Sequence, residues 1–146
     1  MKWIKKLPVE SIVSPEILIR LMVGAIFLSE GIQKYLFPEL RGVGRFIRIG
    51  IPYPEITGPI VGLFEIVCGL LALIGFYTRK VALPLLVIML VAIFSTKIPI
   101  ALESGFWQMA HDGRTDYSMF MGSLYLLFAG AGPWSVDAVL AKKAGK

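Results

Sequence analysis

Four long apolar blocks, separated by short polar stretches, dominate the hydrophobic pattern of this chain. The blocks cover roughly residues 17–37, 56–76, 81–102 and 117–131. About 20 consecutive apolar residues allow a helix to cross the hydrocarbon core of a bilayer, and the fourth block approaches that length only if its helix begins near Asp116. The pattern therefore predicts an all-α integral membrane protein in which four transmembrane helices form an antiparallel bundle.

The polar breaks divide the chain into three expected regions. They are a basic interfacial N-terminal segment (1–16), a four-helix membrane domain (17–137) and a basic C-terminal tail (138–146). After Pro38, arginines follow one another at i, i+4 and i+7, which predicts a short interfacial helix between the first two spans. These arginines are Arg41, Arg45 and Arg48.

Charge placement predicts the orientation and the partners of the chain. The net charge is +5, and basic residues concentrate at both termini and in the turn between the second and third blocks. Because basic loops stay in the cytoplasm, we expect both termini there and a multi-pass protein of the inner cell membrane. The bilayer is the expected partner. Further copies of the chain are a second candidate partner, and nucleic acid is not expected.

Cysteine and histidine counts exclude several kinds of redox centre. The chain has one cysteine, Cys68, and one histidine, His111. A single cysteine cannot form an internal disulfide, a CxxC pair or an iron–sulfur cluster with four cysteine ligands. A single histidine cannot supply both axial ligands of a bis-histidine haem. We therefore expect no disulfide, iron–sulfur cluster or haem, and we find no set of metal ligands.

Small residues recur along three of the four apolar blocks at helical spacing. Membrane helices associate through such residues because they allow two backbones to approach each other closely. We predict that these seams face one another and that five glycines form helix contacts. They are Gly24 and Gly31 in the first block, Gly62 and Gly69 in the second, and Gly122 in the fourth.

Ionisable residues interrupt the apolar blocks at similar depths. Counting about 1.5 Å per residue places Glu30, Lys34 and Lys97 in the outer half of the bundle. Glu65 and Tyr125 then lie near the midplane. A charged side chain at bilayer depth is costly, so it usually faces the protein interior and has a partner. Lys34 is within i+4 reach of Glu30, and Glu65 supplies a second carboxylate.

Two interpretations of these polar residues remain open. In the first, Glu65, Glu30 and Lys34 are catalytic, and Lys97, Tyr125, Gln33 and the three arginines bind a substrate. In the second, the Glu30–Lys34 pair only fixes helix packing. Lys97 then extends to the headgroups, and the arginines rest on lipid phosphates.

Three segments resemble the DoxX family of small bacterial four-helix membrane proteins. They are "RLMVGAIFLSEGIQKYLFP", "PYPEITGPIVGLFEIVCGLLALIGFYTRKVALPLL" and "TDYSMFMGSLYLLFAGAGPWSVD". The resemblance runs from Arg20 to Asp137. Its core elements are Arg20, Gly31, Lys34, Glu65, Gly69, Gly75, Arg79 and the closing Gly-x-Gly-x-x-Ser-x-Asp over residues 130–137.

The resemblance implies a role in membrane redox chemistry. The family takes its name from membrane subunits of an archaeal thiosulfate:quinone oxidoreductase, and relatives are linked to redox complexes and thiol stress. A subunit or accessory of a quinone-linked system is therefore the leading expectation, with a quinone bound at the polar residues named above and electrons supplied by a redox partner protein. A small-solute transporter and a structural assembly factor are the alternatives. Many members have a histidine near the outer end of span three, where this chain has Lys97.

Overall fold

Helices are the regular elements throughout residues 14–144, the part of the chain that the computed structural model describes. The prediction of an all-helical protein is therefore confirmed for these residues. The elements are α1 (Pro15–Leu36), α2 (Pro38–Arg41), α3 (Val43–Arg48), α4 (Pro54–Ile74), α5 (Thr78–Ala92), a π-helical turn (Ile93–Lys97), α6 (Ile98–Ser104), α7 (Phe106–Asp112), α8 (Arg114–Ala129) and α9 (Val136–Ala144).

The long helices α1, α4, α5 and α8 pack in a ring. Helix α1 contacts α4 and α8, and α5 contacts the same two helices from the opposite side. Consecutive helices run antiparallel. The buried apolar centre of this bundle is formed by side chains from all four helices, including Val23, Phe27, Cys68, Leu85 and Leu126.

Two helical stretches in the described part are long and apolar enough to cross a membrane. They are Pro54–Ile74 and the continuous stretch Thr78–Ser104. Helix α1 has 22 residues but carries several charged side chains, and α8 has only 16 residues. The four long helices thus contact one another in the described residues, whereas a bundle of four membrane-spanning helices stays a prediction.

Glycines allow α1 and α4 to approach closely along their whole contact. A Cβ atom on Gly31 would lie 2.7 Å from the carbonyl oxygen of Gly62, and one on Gly24 would lie 2.8 Å from that of Gly69. On the other side of α1, a Cβ atom on Gly122 would lie 2.6 Å from a methyl carbon of Val23. The structure thus places all five predicted glycines in contacts between helices.

Buried Arg20 seals one end of the bundle, which we call the closed end. Its guanidinium donates hydrogen bonds to the carbonyl oxygens of Ala131 at 2.7 Å, Trp134 at 2.9 Å and Leu73 at 3.3 Å. Asp137 then accepts hydrogen bonds from the backbone N–H groups of Tyr77 and Thr78, at 2.8 and 3.0 Å. Arg20 thus ties the loop before α9 to α1 and α4, and Asp137 ties the start of α9 to the turn between α4 and α5.

The predicted interfacial helix is divided in two at Gly42. A Cβ atom at this position would lie 2.5 Å from the carbonyl oxygen of Lys34, so the chain bends here and forms α2 and α3.

The predicted terminal regions are only partly described. Most of the predicted N-terminal segment, including Trp3, lies outside the described residues. The predicted tail is helical as far as Ala144, because α9 crosses the expected boundary at residue 137.

Candidate functional site

A cavity of about 540 Å³ occupies the end of the bundle opposite Arg20, which we call the cavity end. Its walls come from α1, α4, α5, the π-helical turn and α8, with residues of the short helices α2, α3 and α7, and most of the wall surface is apolar. Charged side chains from several helices also line it: Glu30, Lys34, Arg41, Arg45, Glu65, Lys97, Asp112 and Asp116. The four acids and four bases balance if all are ionised.

A buried ion pair between α1 and α4 forms one wall of this cavity. The Lys34 Nζ atom lies 2.6 Å from the Glu65 Oε2 atom, and their side chains are 10% and 4% exposed. The close approach of the two helices at Gly31 and Gly62 brings these side chains together. The structure thus gives Lys34 the carboxylate of the neighbouring helix as its partner, whereas Glu30, four residues earlier on α1, makes no ion pair with another described residue.

Lys97 forms a second ion pair, with Asp116 in the first turn of α8. The distance from its Nζ atom to Asp116 Oδ2 is 3.0 Å, and the Lys97 side chain is only 11% exposed. Lys97 therefore lines the cavity and does not extend to the headgroups, and its partner is Asp116 rather than one of the acids singled out from the sequence. Sequence reasoning missed Asp116 because an acid at a helix start is equally well explained as a capping residue.

A π-helical turn shapes the wall of the cavity next to Lys97. Such wide turns are rare within helices and often occur at functional sites. Ser95 and Thr96 in this turn line the cavity, and the Thr96 hydroxyl donates a hydrogen bond to the carbonyl oxygen of Ala92 at 2.6 Å. Their polarity within an apolar block was the sequence signal that could have identified them.

The three arginines occupy two different environments. Arg41 and Arg45 line the cavity, and they make no ion pair with another described residue. Arg48 instead donates hydrogen bonds to the carbonyl oxygens of Glu39 and Leu40, at 2.9 and 3.1 Å. It stabilises the bend between α2 and α3, which the prediction of a single continuous helix did not include.

Besides Arg48, two predicted site residues lie away from the cavity lining. Gln33 donates a hydrogen bond to the Ser29 hydroxyl at 3.0 Å. Tyr125 lies toward the closed end, where its hydroxyl is 3.5 Å from Glu16 Oε1. The expected position of Tyr125 beside Glu65 is wrong because the contact between Gly122 and Val23 sets the axial position of α8.

The cavity reaches the apolar flank of the bundle along α5. Val87 and Val91 line it, yet they expose 58% and 49% of their surface. Within residues 14–144, no group of three or more His, Cys, Asp or Glu side chains is arranged to hold a metal ion. The apolar walls of the cavity and its ion pair can hold a small molecule with an apolar body and polar groups that face Lys34 and Glu65.

Comparisons with known proteins connect this arrangement to relatives. The sequence profile of the DoxX family matches residues 16–98. The uncharacterized membrane protein Rv3486 of Mycobacterium tuberculosis is 50% identical over 135 residues, which cover 88% of this chain and 82% of the relative. An uncharacterized protein of Haemophilus influenzae is 29% identical over 125 residues, covering 86% and 90%. No solved structure matches the chain.

Proposed function

Because the chain belongs to the DoxX family, we propose that it binds a quinone in the cavity and supports a quinone-linked redox system of the membrane. The observation that carries this proposal is the buried Lys34–Glu65 ion pair in the wall of a mostly apolar cavity. An apolar pocket with a few converging polar groups is typical of sites for small ligands. The opening beside Val87 and Val91 suits a ligand that arrives from the lipid.

Each polar group has a role in this proposal. The Lys34 ammonium donates a hydrogen bond to a quinone oxygen, and Glu65 gives or takes the proton that accompanies reduction or oxidation. Lys97 and Arg45 stabilise negative charge on the ring from other walls of the cavity. The electrons come from a redox partner protein, since the chain has one cysteine and one histidine of its own.

The proposal includes an orientation in the inner cell membrane. All four long helices span the bilayer, both termini are cytoplasmic and the cavity faces the outer side. Support comes from the basic residues at the closed end, since basic segments favour the cytoplasm. They are Arg79, Lys80, Lys142 and Lys143.

Ligand titration tests the proposed binding site. The protein, purified in mild detergent, is titrated with a short-chain quinone while quenching of tryptophan fluorescence is recorded. We expect saturable quenching, with the Kd raised at least about tenfold by Lys34→Met, as for loss of a buried charge-assisted hydrogen bond. Glu55→Gln is the matched control because Glu55 is exposed and outside the cavity lining. Unsaturable quenching, or the same Kd in Lys34→Met and Glu55→Gln, would contradict quinone binding at this site.

Water access separates this proposal from the transporter alternative. A transporter needs water access to its site from both ends of the bundle, and the Arg20 contacts at the closed end favour a site that is open at the cavity end alone. Single cysteines introduced into Cys68→Ala protein report this access by labelling with a water-soluble thiol reagent. Equal labelling from both faces of the membrane would support the transporter.

A further inference from the structure

Two carboxylates lie on the same cavity wall as Lys34, and its ammonium forms an ion pair with one of them. Its ammonium contacts Glu65 of α4 at 2.6 Å. Glu30 precedes it by four residues on α1 and lines the same cavity. In a helix, Glu followed by Lys at i+4 is the spacing and order in which the two side chains form a favourable ion pair. Lys34 therefore has a second partner within reach of its flexible stem.

The other charged groups around the cavity leave Glu30 available. Lys97 of the π-helical turn is held by Asp116 of α8 at 3.0 Å. Asp112, at the end of α7, accepts a hydrogen bond from Gln108 at 2.9 Å. Arg41 and Arg45, from α2 and α3, make no ion pair with a described residue. On α1, Lys34 is the base closest in sequence to Glu30.

Neutralising Glu65 would leave Lys34 in an unfavourable state without a second partner. Glu65 is 3% exposed, and the side chain of Lys34 is 10% exposed. A buried charge that loses its partner is strongly destabilising. An acid that accepts the ammonium removes this cost, so Glu65 can change its protonation state while Lys34 stays charged.

We propose that Glu30 is a positioning residue. Its carboxylate forms an ion pair with the Lys34 ammonium whenever Glu65 is protonated or bound to a ligand. The inference rests on the proposed function, in which Glu65 exchanges a proton. One proton binds to Glu65, the ion pair of Lys34 moves from Glu65 to Glu30, and the formal charge of the three groups changes from −1 to 0. Lys34 keeps its own proton throughout.

A double-mutant cycle tests this exchange without any quinone. Glu65→Gln has the shape and neutrality of the protonated acid, so Lys34 pairs with Glu30 in this variant. We expect Glu65→Gln and Glu30→Gln each to lower Tm by only about 3 °C, and the double variant to lower it by about 10 °C or more, since a buried ammonium is then uncompensated. The control is a second cycle that combines Glu65→Gln with Glu55→Gln. In that cycle the Tm losses of the two single variants should add.

Two further measurements exclude a merely structural role for Glu30. Adding Lys34→Met to the double variant removes the uncompensated charge and should restore most of the lost Tm. In ¹⁵N-lysine-labelled protein, the Lys34 side-chain signal, assigned with Lys34→Arg, should shift when Glu30→Gln is added to Glu65→Gln. In protein with Glu65 intact, Glu30→Gln should shift it much less.

Additive losses of Tm in the cycle of Glu65→Gln and Glu30→Gln would overturn the exchange. Failure of Lys34→Met to restore stability would also overturn it. So would a Lys34 signal shift on Glu30→Gln that is equal with Glu65 intact and with Glu65→Gln. Because the cycle uses no ligand, its outcome is independent of quinone binding. The titration of wild-type protein with quinone tests that binding separately.

Discussion

At the scale of single residues, each buried lysine of the cavity has an acid from another helix as its partner. Lys34 pairs across to α4, and Lys97 pairs across to α8. An ion pair between helices fixes their relative position, but it makes each partner costly to remove because the other charge stays in a site with little water.

The Lys97–Asp116 pair provides a prediction at this scale. Asp116→Asn should lower the free energy of unfolding by about 1–3 kcal/mol, less than for a fully buried pair since Asp116 retains some exposure. Asp112→Asn is the matched control: Asp112 is exposed, and we expect a change within about 0.5 kcal/mol. Chemical unfolding in detergent measures both, and equal losses would refute a specific stabilising role for Asp116.

At the scale of elements, the glycine contacts between α1 and α4 position the ion pair of the cavity. Gly31 contacts Gly62 three residues before Lys34 and three residues before Glu65 in their own helices. The seam thus sets both the distance between the helices and the register in which the acid meets the base.

Overpacking this seam should separate the helices. Gly24→Leu places side-chain atoms where Leu73 and the Gly69 carbonyl already lie, so we expect a loss of about 1–3 kcal/mol in the free energy of unfolding. Ala25→Leu on the neighbouring, exposed position should have little effect. Unfolding curves of the two variants provide the comparison, and a similar tolerance at both positions would be evidence against close helix contact at Gly24.

Sequence spacing predicts this part of the site better than the rest. The seams of α1 and α4 contain glycines and acids or bases at one helical spacing, so the helix faces that bring Glu65 and Lys34 into the bundle follow from counting. The position of Tyr125 cannot be predicted in this way, because the axial position of α8 depends on a contact with Val23 that no local pattern encodes. The π-helical turn and the bend at Gly42 likewise depend on tertiary packing.

At the scale of the whole molecule, the two ends of the bundle differ in construction. The closed end is held by Arg20 and Asp137 through backbone groups of three separate segments. The cavity end is held by side-chain ion pairs and contains the cavity of about 540 Å³. In the proposed orientation the closed end faces the cytoplasm and the cavity end faces the outer side of the membrane.

Fusion reporters test that orientation. We expect a reporter after Lys146 to be active only if it functions in the cytoplasm, because basic residues concentrate at this end. A reporter inserted at Gly105, an exposed position between α6 and α7, should be active only if it functions in the periplasm. Activity of a periplasm-only reporter after Lys146 would reverse the orientation and place the cavity on the cytoplasmic side.

The contacts of Arg20 have a consequence for how the chain is made. Arg20 and its acceptor Ala131 are 111 residues apart in sequence. At about 5–20 residues per second, the ribosome supplies that acceptor on the order of ten seconds after Arg20 is synthesised. Until then Arg20 has only one of its three acceptors, the carbonyl oxygen of Leu73, which is 53 residues away in sequence. The closed end can therefore form in full only after the segment with Ala131 and Trp134 has been synthesised, and a product truncated before Ala131 lacks two of the three hydrogen bonds of Arg20.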